Sequence, residues 1–148
     1  MKDGFFDSKE FASHDGAPSP WGPMNVRQEL VDFLNRVRLL FGKPLIVTSG
    51  YRSPSWNAHV GGVPNSYHTQ GLAADIRPED QKDLPTLWEL CLRLNVTGGV
   101  GIYDTFVHVD RRGYAARFDK RTKKWSSDHF DNVVKLSYAA RFDKRTKK

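Results

Sequence analysis

Cys91 is the only cysteine in a chain of 148 residues, which excludes an internal disulfide and any CxxC metal or redox pair. It sits among Leu90, Leu92 and Leu94, the setting of a buried, inert thiol. Long apolar runs are missing as well, and nothing approaches the roughly 20 apolar residues that a spanning helix needs. The opening Met1-Lys2-Asp3-Gly4-Phe5-Phe6-Asp7 has neither the apolar core nor the cleavage site of a secretory signal, so the expectation is a cytoplasmic chain as synthesised. No motif of a nucleic-acid-binding fold is present, which excludes specific nucleic-acid recognition as the first expectation. What the chain does have is 39% hydrophobic and 12% aromatic residues, ordinary content for one compact domain with one core.

Periodicity divides that domain. Residues 1–24 are irregular and rich in Gly, Pro and Ser, with Phe5, Phe6 and Phe11 as anchors, and read as a wrapping arm. Val26, Leu30, Phe33, Leu34, Val37, Leu40 and Phe41 then recur at helical spacing, with Asn25 and Gln28 as an expected capping box and Gly42 and Pro44 as the stop. Leu45 to Ser49 reads as a buried strand that delivers Gly50, Tyr51 and Arg52 to its carboxyl end. Residues 53–67 read as a long Gly/Pro/Asn/Ser loop, a place where function concentrates. A second helix is expected from about Pro85 to Leu94, and Val100 to Tyr103 leads into a last apolar strand. The expected fold class is α+β, a small, largely antiparallel sheet flanked by helices, with the domain over 25–118 and a basic tail over 119–148.

The chemistry concentrates in two of those strands. His68 and Asp75 lie seven residues apart in Ser66-Tyr67-His68-Thr69-Gln70-Gly71-Leu72-Ala73-Ala74-Asp75, and His108 follows in Phe106-Val107-His108-Val109-Asp110. A strand from Leu72 to Ile76 would carry Asp75 into a sheet, and one from Phe106 to Asp110 would set His108 beside it. Two imidazoles and a carboxylate are ligands that zinc accepts, and three protein ligands leave a fourth tetrahedral position for water, as in catalytic sites. Cobalt or nickel would suit the same donors. Taken singly, the three residues read equally as a loop histidine, a cap aspartate and a core histidine, so spacing alone leaves both readings open.

The run from Ser66 to Asp75 fits the pattern SxHxxGxAxD, and in this it resembles the zinc D-alanyl-D-alanine carboxypeptidases, the murein metallopeptidase family that shares its fold with the Hedgehog signalling domain. Ser49-Gly50-Tyr51-Arg52-Ser53-Pro54, Asn57, and Val60 to Ser66 resemble the family's approach to its first ligand. Phe106 to Asp110 resembles its third-ligand strand, and Glu10 to Gly16 its small single-domain branch. The resemblance spans roughly residues 5–118. It implies one zinc ion held by His68, Asp75 and His108, Arg52 near the scissile bond, Ser66 on the substrate, and a peptidoglycan stem peptide as partner. Several relatives carry an acidic residue three before the third ligand, where this chain has Thr105. On an extended strand Asp104 and Asp110 both share the face of His108, and we expect Asp104 to act as general base and Asp110 to orient an imidazole. His59 could reach substrate from its loop; His14 lies in the arm, and His129 lies outside the family-like region.

The carboxyl end differs in charge. Residues 111–148 hold 13 Lys and Arg against 4 Asp and Glu, net +9, whereas residues 1–110 are net −3. Such a tail either solubilises or attracts anionic polymers of the wall, membrane surface or nucleic acid without sequence choice. Tyr114 to Lys124 recurs unchanged as Tyr138 to Lys148. The first copy reads as the domain's closing strand and turn, the second as a local duplication or fusion scar outside functional reasoning. Three functions are in view: a carboxypeptidase removing a terminal D-alanine, an endolysin-type endopeptidase of phage or prophage cutting within the stem, and a non-catalytic zinc-stabilised binding module. A wall enzyme without a leader would need another exit route, and a phage lysis protein has one.

Overall fold

A computed structural model describes residues 1–123. Five strands form one mixed sheet in the order β3-β4-β6-β5-β7: β3 (Leu45–Ser49), β4 (Ala73–Pro78), β5 (Gly99–Ile102), β6 (Val107–Asp110) and β7 (Ala116–Asp119). Neighbours are antiparallel except for β5 and β7, which run parallel. At the amino end β1 (Lys2–Asp3) and β2 (Phe6–Asp7) make a separate antiparallel pair. Helices α1 (Gln28–Phe41), α2 (Pro54–His59) and α3 (Leu84–Leu94) complete the α+β architecture.

The two faces of the sheet have different work because side chains alternate along each strand. Ala74, Ile76, Val100, Ile102, Val107 and Val109 point to one face and are all buried. They join Leu30, Leu34 and Val37 of α1 with Leu87, Trp88 and Cys91 of α3 in a single apolar cluster. Each Val, Leu or Ile among them contributes about 1.5–3 kcal/mol by leaving water. The opposite face carries Asp75, paired across the ladder with His108, which is paired in turn with Gly101, itself paired with Phe118. The core therefore fixes the register that sets the polar face.

The arm is bound into this frame. Phe6 and Phe11 pack ring against ring at 5.6 Å inside the core cluster. The Tyr51 amide donates to the Phe11 carbonyl at 2.9 Å, the Ser53 amide donates to Ser13 Oγ at 3.0 Å, and the Asp15 carboxylate accepts from the Ser13 and Ser53 hydroxyls at 2.6 Å each. Residues 51–53 are thus held between the arm and the sheet.

Three local expectations change. Asn25 is not the cap of α1: the cap position is Arg27, with no side-chain cap bond, while Asn25 sits at φ 69° and donates to the Ser8 carbonyl. Residues 53–67 are not all loop, because Ser53 Oγ accepts from the Trp56 amide and Pro54 opens the short helix α2. The strand bearing His108 begins at Val107, after the chain has turned between β5 and β6. Among the described residues no helix is long and apolar enough to cross a membrane.

Candidate metal centre

His68 reaches the polar face from a turn. Gly71, at φ +68°, lets the chain double back into β4, and the Trp21 ring lies where a larger side chain would go. The imidazole is 3% exposed and its Nδ1 lies 2.8 Å from the Gly50 carbonyl oxygen. A carbonyl only accepts, so Nδ1 carries the proton and Nε2 turns its lone pair inward. His108 is arranged the other way round. Its Nε2 donates to Asp110 Oδ2 at 2.8 Å, and Nδ1 faces inward, 3.0 Å from Asp75 Oδ1.

Asp75 stands between the two rings. His68 Nε2 is 3.3 Å from the same Oδ1, and one ligand atom from each of the three residues lies within 4.8 Å of the others. Tetrahedral zinc with bonds of about 2.0–2.2 Å needs donors separated by about 3.3 Å. The trio could hold a metal ion. Burial alone would raise the Asp75 carboxyl, but the neighbouring His108 and His68 imidazoles outweigh it and hold it well below the usual carboxylate range. Burial alone would lower the His108 imidazole, and the Asp110 and Asp75 carboxylates reverse that and raise it.

The trio lies in a cavity of about 510 Å³. Tyr103, Phe106 and Phe118 form an aromatic wall on one side, with Tyr103 stacked on Phe106 at 4.4 Å and Phe118 5.5 Å from the His108 ring. Gly61, Gly62, Val63, Asn65 and Ser66 form part of the lining, with Arg52, Tyr67 and Arg112. Arg52 is held by three acceptors: Ser49 Oγ at 3.2 Å, Asn57 Oδ1 at 3.3 Å and Asp75 Oδ2 at 3.5 Å. Asn57 is buried and donates to the Val63 carbonyl at 2.8 Å, so one amide side chain fixes both Arg52 and the loop opposite. Ser66 Oγ accepts from the His68 amide at 3.2 Å and borders the cavity.

Asp104, the carboxylate expected to serve as base, is placed otherwise, whereas Asp110, expected to orient an imidazole, does contact one. Asp104 does not share the strand face of His108, because residues 103–106 turn between β5 and β6. Its carboxylate accepts from the Thr122 amide at 2.8 Å and the Thr122 hydroxyl at 2.7 Å, outside the cavity lining. Asp110 touches His108 but is fully buried, and its oxygens also accept from the Gly99 amide and from Arg112, which leaves no lone pair for a water. Asp110 has the geometry of an imidazole partner and not of a base. His59 stacks on Trp56 at 5.1 Å and His14 packs against the same Trp56, neither bordering the cavity; His129 lies outside the described residues.

Residues that sequence reading passed over also build the site. Arg112 and Phe118 follow the third-ligand strand, and their signal was only an arginine two past Asp110 and an aromatic in the closing strand. Tyr103 and Tyr67 had none beyond proximity to ligands. A search of curated proteins found no match. The model of the Peptidase M15 family, however, matches residues 4–110, a stretch that holds the arm, the Arg52 segment and all three converging donors, and on that match the chain belongs to the peptidase M15 family.

Proposed function

We propose that this protein is a zinc metallopeptidase that hydrolyses the stem peptides of peptidoglycan, acting as a D-alanyl-D-alanine carboxypeptidase. The observation that carries the reading is the convergence of His68 Nε2, His108 Nδ1 and an Asp75 oxygen on one point of a cavity, in a chain of a peptidase family. A zinc ion held by these three would supply a water of lowered pKa and polarise the scissile carbonyl. The remaining work belongs to side chains. Gly50 and Asp110 hold the two imidazoles in the tautomers that binding requires. Arg52 offers donors to the substrate carboxylate or the developing oxyanion, and its three acceptors aim it before substrate arrives. Ser66 keeps its hydroxyl proton to donate to a stem carbonyl. Asp75 is the only carboxylate lining the cavity among the described residues and is itself one of the three donors, so the substrate's own carboxylate would take the proton of the attacking water, and the Tyr103 hydroxyl, a neutral phenol, would donate to the developing oxyanion.

That scarcity of carboxylates is the specific observation favouring a second reading, a zinc-stabilised binding module without turnover. The deciding experiment is a digest of purified peptidoglycan and of a free pentapeptide stem, with zinc and with chelator, read by mass spectrometry. Chelator-sensitive release of D-alanine is the expected result. Internal stem fragments would instead make it an endolysin-type endopeptidase, and no cleavage of either substrate would leave the binding module.

A further inference from the structure

Arg112 stands two residues beyond Asp110, where the family match ends. Three of its nitrogens reach back to Asp110: the backbone amide to Oδ1 at 3.2 Å, Nε to Oδ1 at 2.8 Å and Nη2 to Oδ2 at 2.8 Å. The same Oδ2 takes the His108 Nε2 proton at 2.8 Å, and Oδ1 also takes the Gly99 amide at 3.1 Å. A carboxylate has about four acceptor directions, and five donors crowd this one. Asp110 cannot rotate away from His108 without breaking a two-pronged guanidinium pair, the strongest geometry such a pair has. Arg112 is itself held over the Tyr67 ring at 4.6 Å and near the Tyr114 ring at 5.5 Å, and Tyr67 is the neighbour of the other imidazole ligand.

We propose that Arg112 is a positioning residue of the metal centre: through the pair with Asp110 it locks the His108 ring with Nδ1 turned toward Asp75. The proposal rests on the reading of His68, Asp75 and His108 as metal ligands. A surface arginine would gain little from one exposed acidic partner. This pair is different because its carboxylate is fully buried and one of its oxygens is shared with a ligand.

The test is zinc affinity by competition with a chromophoric chelator, measured on the full chain and on Arg112→Met, Arg112→Lys, Asp110→Ala and the Arg112→Met/Asp110→Ala double variant. Thermal melting of each metal-free protein and the visible spectrum of each cobalt-loaded one accompany it. Arg112→Met should weaken zinc binding roughly 10- to 100-fold, the usual effect of losing a partner behind a ligand. Arg112→Lys, which keeps the charge and loses the fork, should lose less and retain the native cobalt spectrum. Adding Arg112→Met to Asp110→Ala should cost almost nothing further, since both act on His108 by one route. Zinc affinity within about 2-fold of wild type in Arg112→Met, or losses that simply add in the double variant, would overturn the proposal. Failure of the wild-type protein to bind zinc would instead overturn the metal site itself.

Discussion

His68 and His108 turn different nitrogens inward, because one ring is held by a backbone carbonyl and the other by a carboxylate. Either ring is indispensable to a three-donor site, so His68→Ala or His108→Ala should abolish stoichiometric zinc binding in equilibrium dialysis. Tyr103 has a hydroxyl with no hydrogen bond to another described residue, and the Asp75 charge reinforces the burial that raises it. If that hydroxyl donates to the developing oxyanion, Tyr103→Phe should lower kcat about 10²-fold and leave zinc affinity unchanged. Acidity adds a further check. In the metal-free protein Asp75 and Asp110 are held below their usual range, so their stabilisation is present above the unfolded value of about 3.9 and lost as pH falls through the folded one. His108 is raised, so its contribution is present below about 6.5 and lost as pH rises through the folded value. The metal-free protein should therefore melt highest at about pH 5–6, and a melting temperature that climbs steadily from pH 4 to 9 would contradict these shifts. Spacing alone left the three donors open, and the resemblance of Ser66 to Asp75 and of Phe106 to Asp110 to a known family made them legible, while strand alternation linked only His108 and Asp110 correctly. Asp104 was misread because the same alternation was carried into a turn, and Arg112 was invisible because a fork onto a buried carboxylate depends on three dimensions.

At the scale of elements, β7 matters most to the site. It lays Phe118 over Gly101 of β5, and a Cβ at Gly101 would run into that ring. Gly101→Ala should cost about 1–3 kcal/mol in denaturant unfolding, as overpacking does, whereas an unchanged midpoint would place Phe118 elsewhere. The arginines after residue 110 belong partly to the fold and not to a free basic tail. Arg111 lies over Phe33 and donates to Asn95, and Arg117 donates to the Asn95 and Gly98 carbonyls at the end of α3. Composition alone could not separate such charges from solvated ones. Helix α1 was legible because its apolar period is long, and its stop at Gly42, whose amide donates to the Arg38 carbonyl, followed the expected chemistry. Helix α2 was missed because six residues are too few for a period, although Ser53 and Pro54 carried the cap and first-turn signal.

At the scale of the whole molecule, the cavity is lined, among the described residues, by positions between 52 and 118. A chain ending at Lys123 should cleave a soluble stem peptide at the full-length rate, and any binding of the intact protein to anionic wall polymer through its basic end should weaken as salt rises. A truncated protein that folds but has lost turnover would show that the site extends past the residues described. Membership in the peptidase M15 family and the geometry of three convergent donors meet in one claim, that hydrolysis depends on a single metal ion. The most direct measurement is the rate of stem-peptide hydrolysis by metal-free protein titrated with zinc. The expected rate is near zero without zinc and rises to a plateau at one equivalent per chain. Hydrolysis that persists in chelator, or zinc bound at one equivalent with no hydrolysis at any ratio, would contradict it.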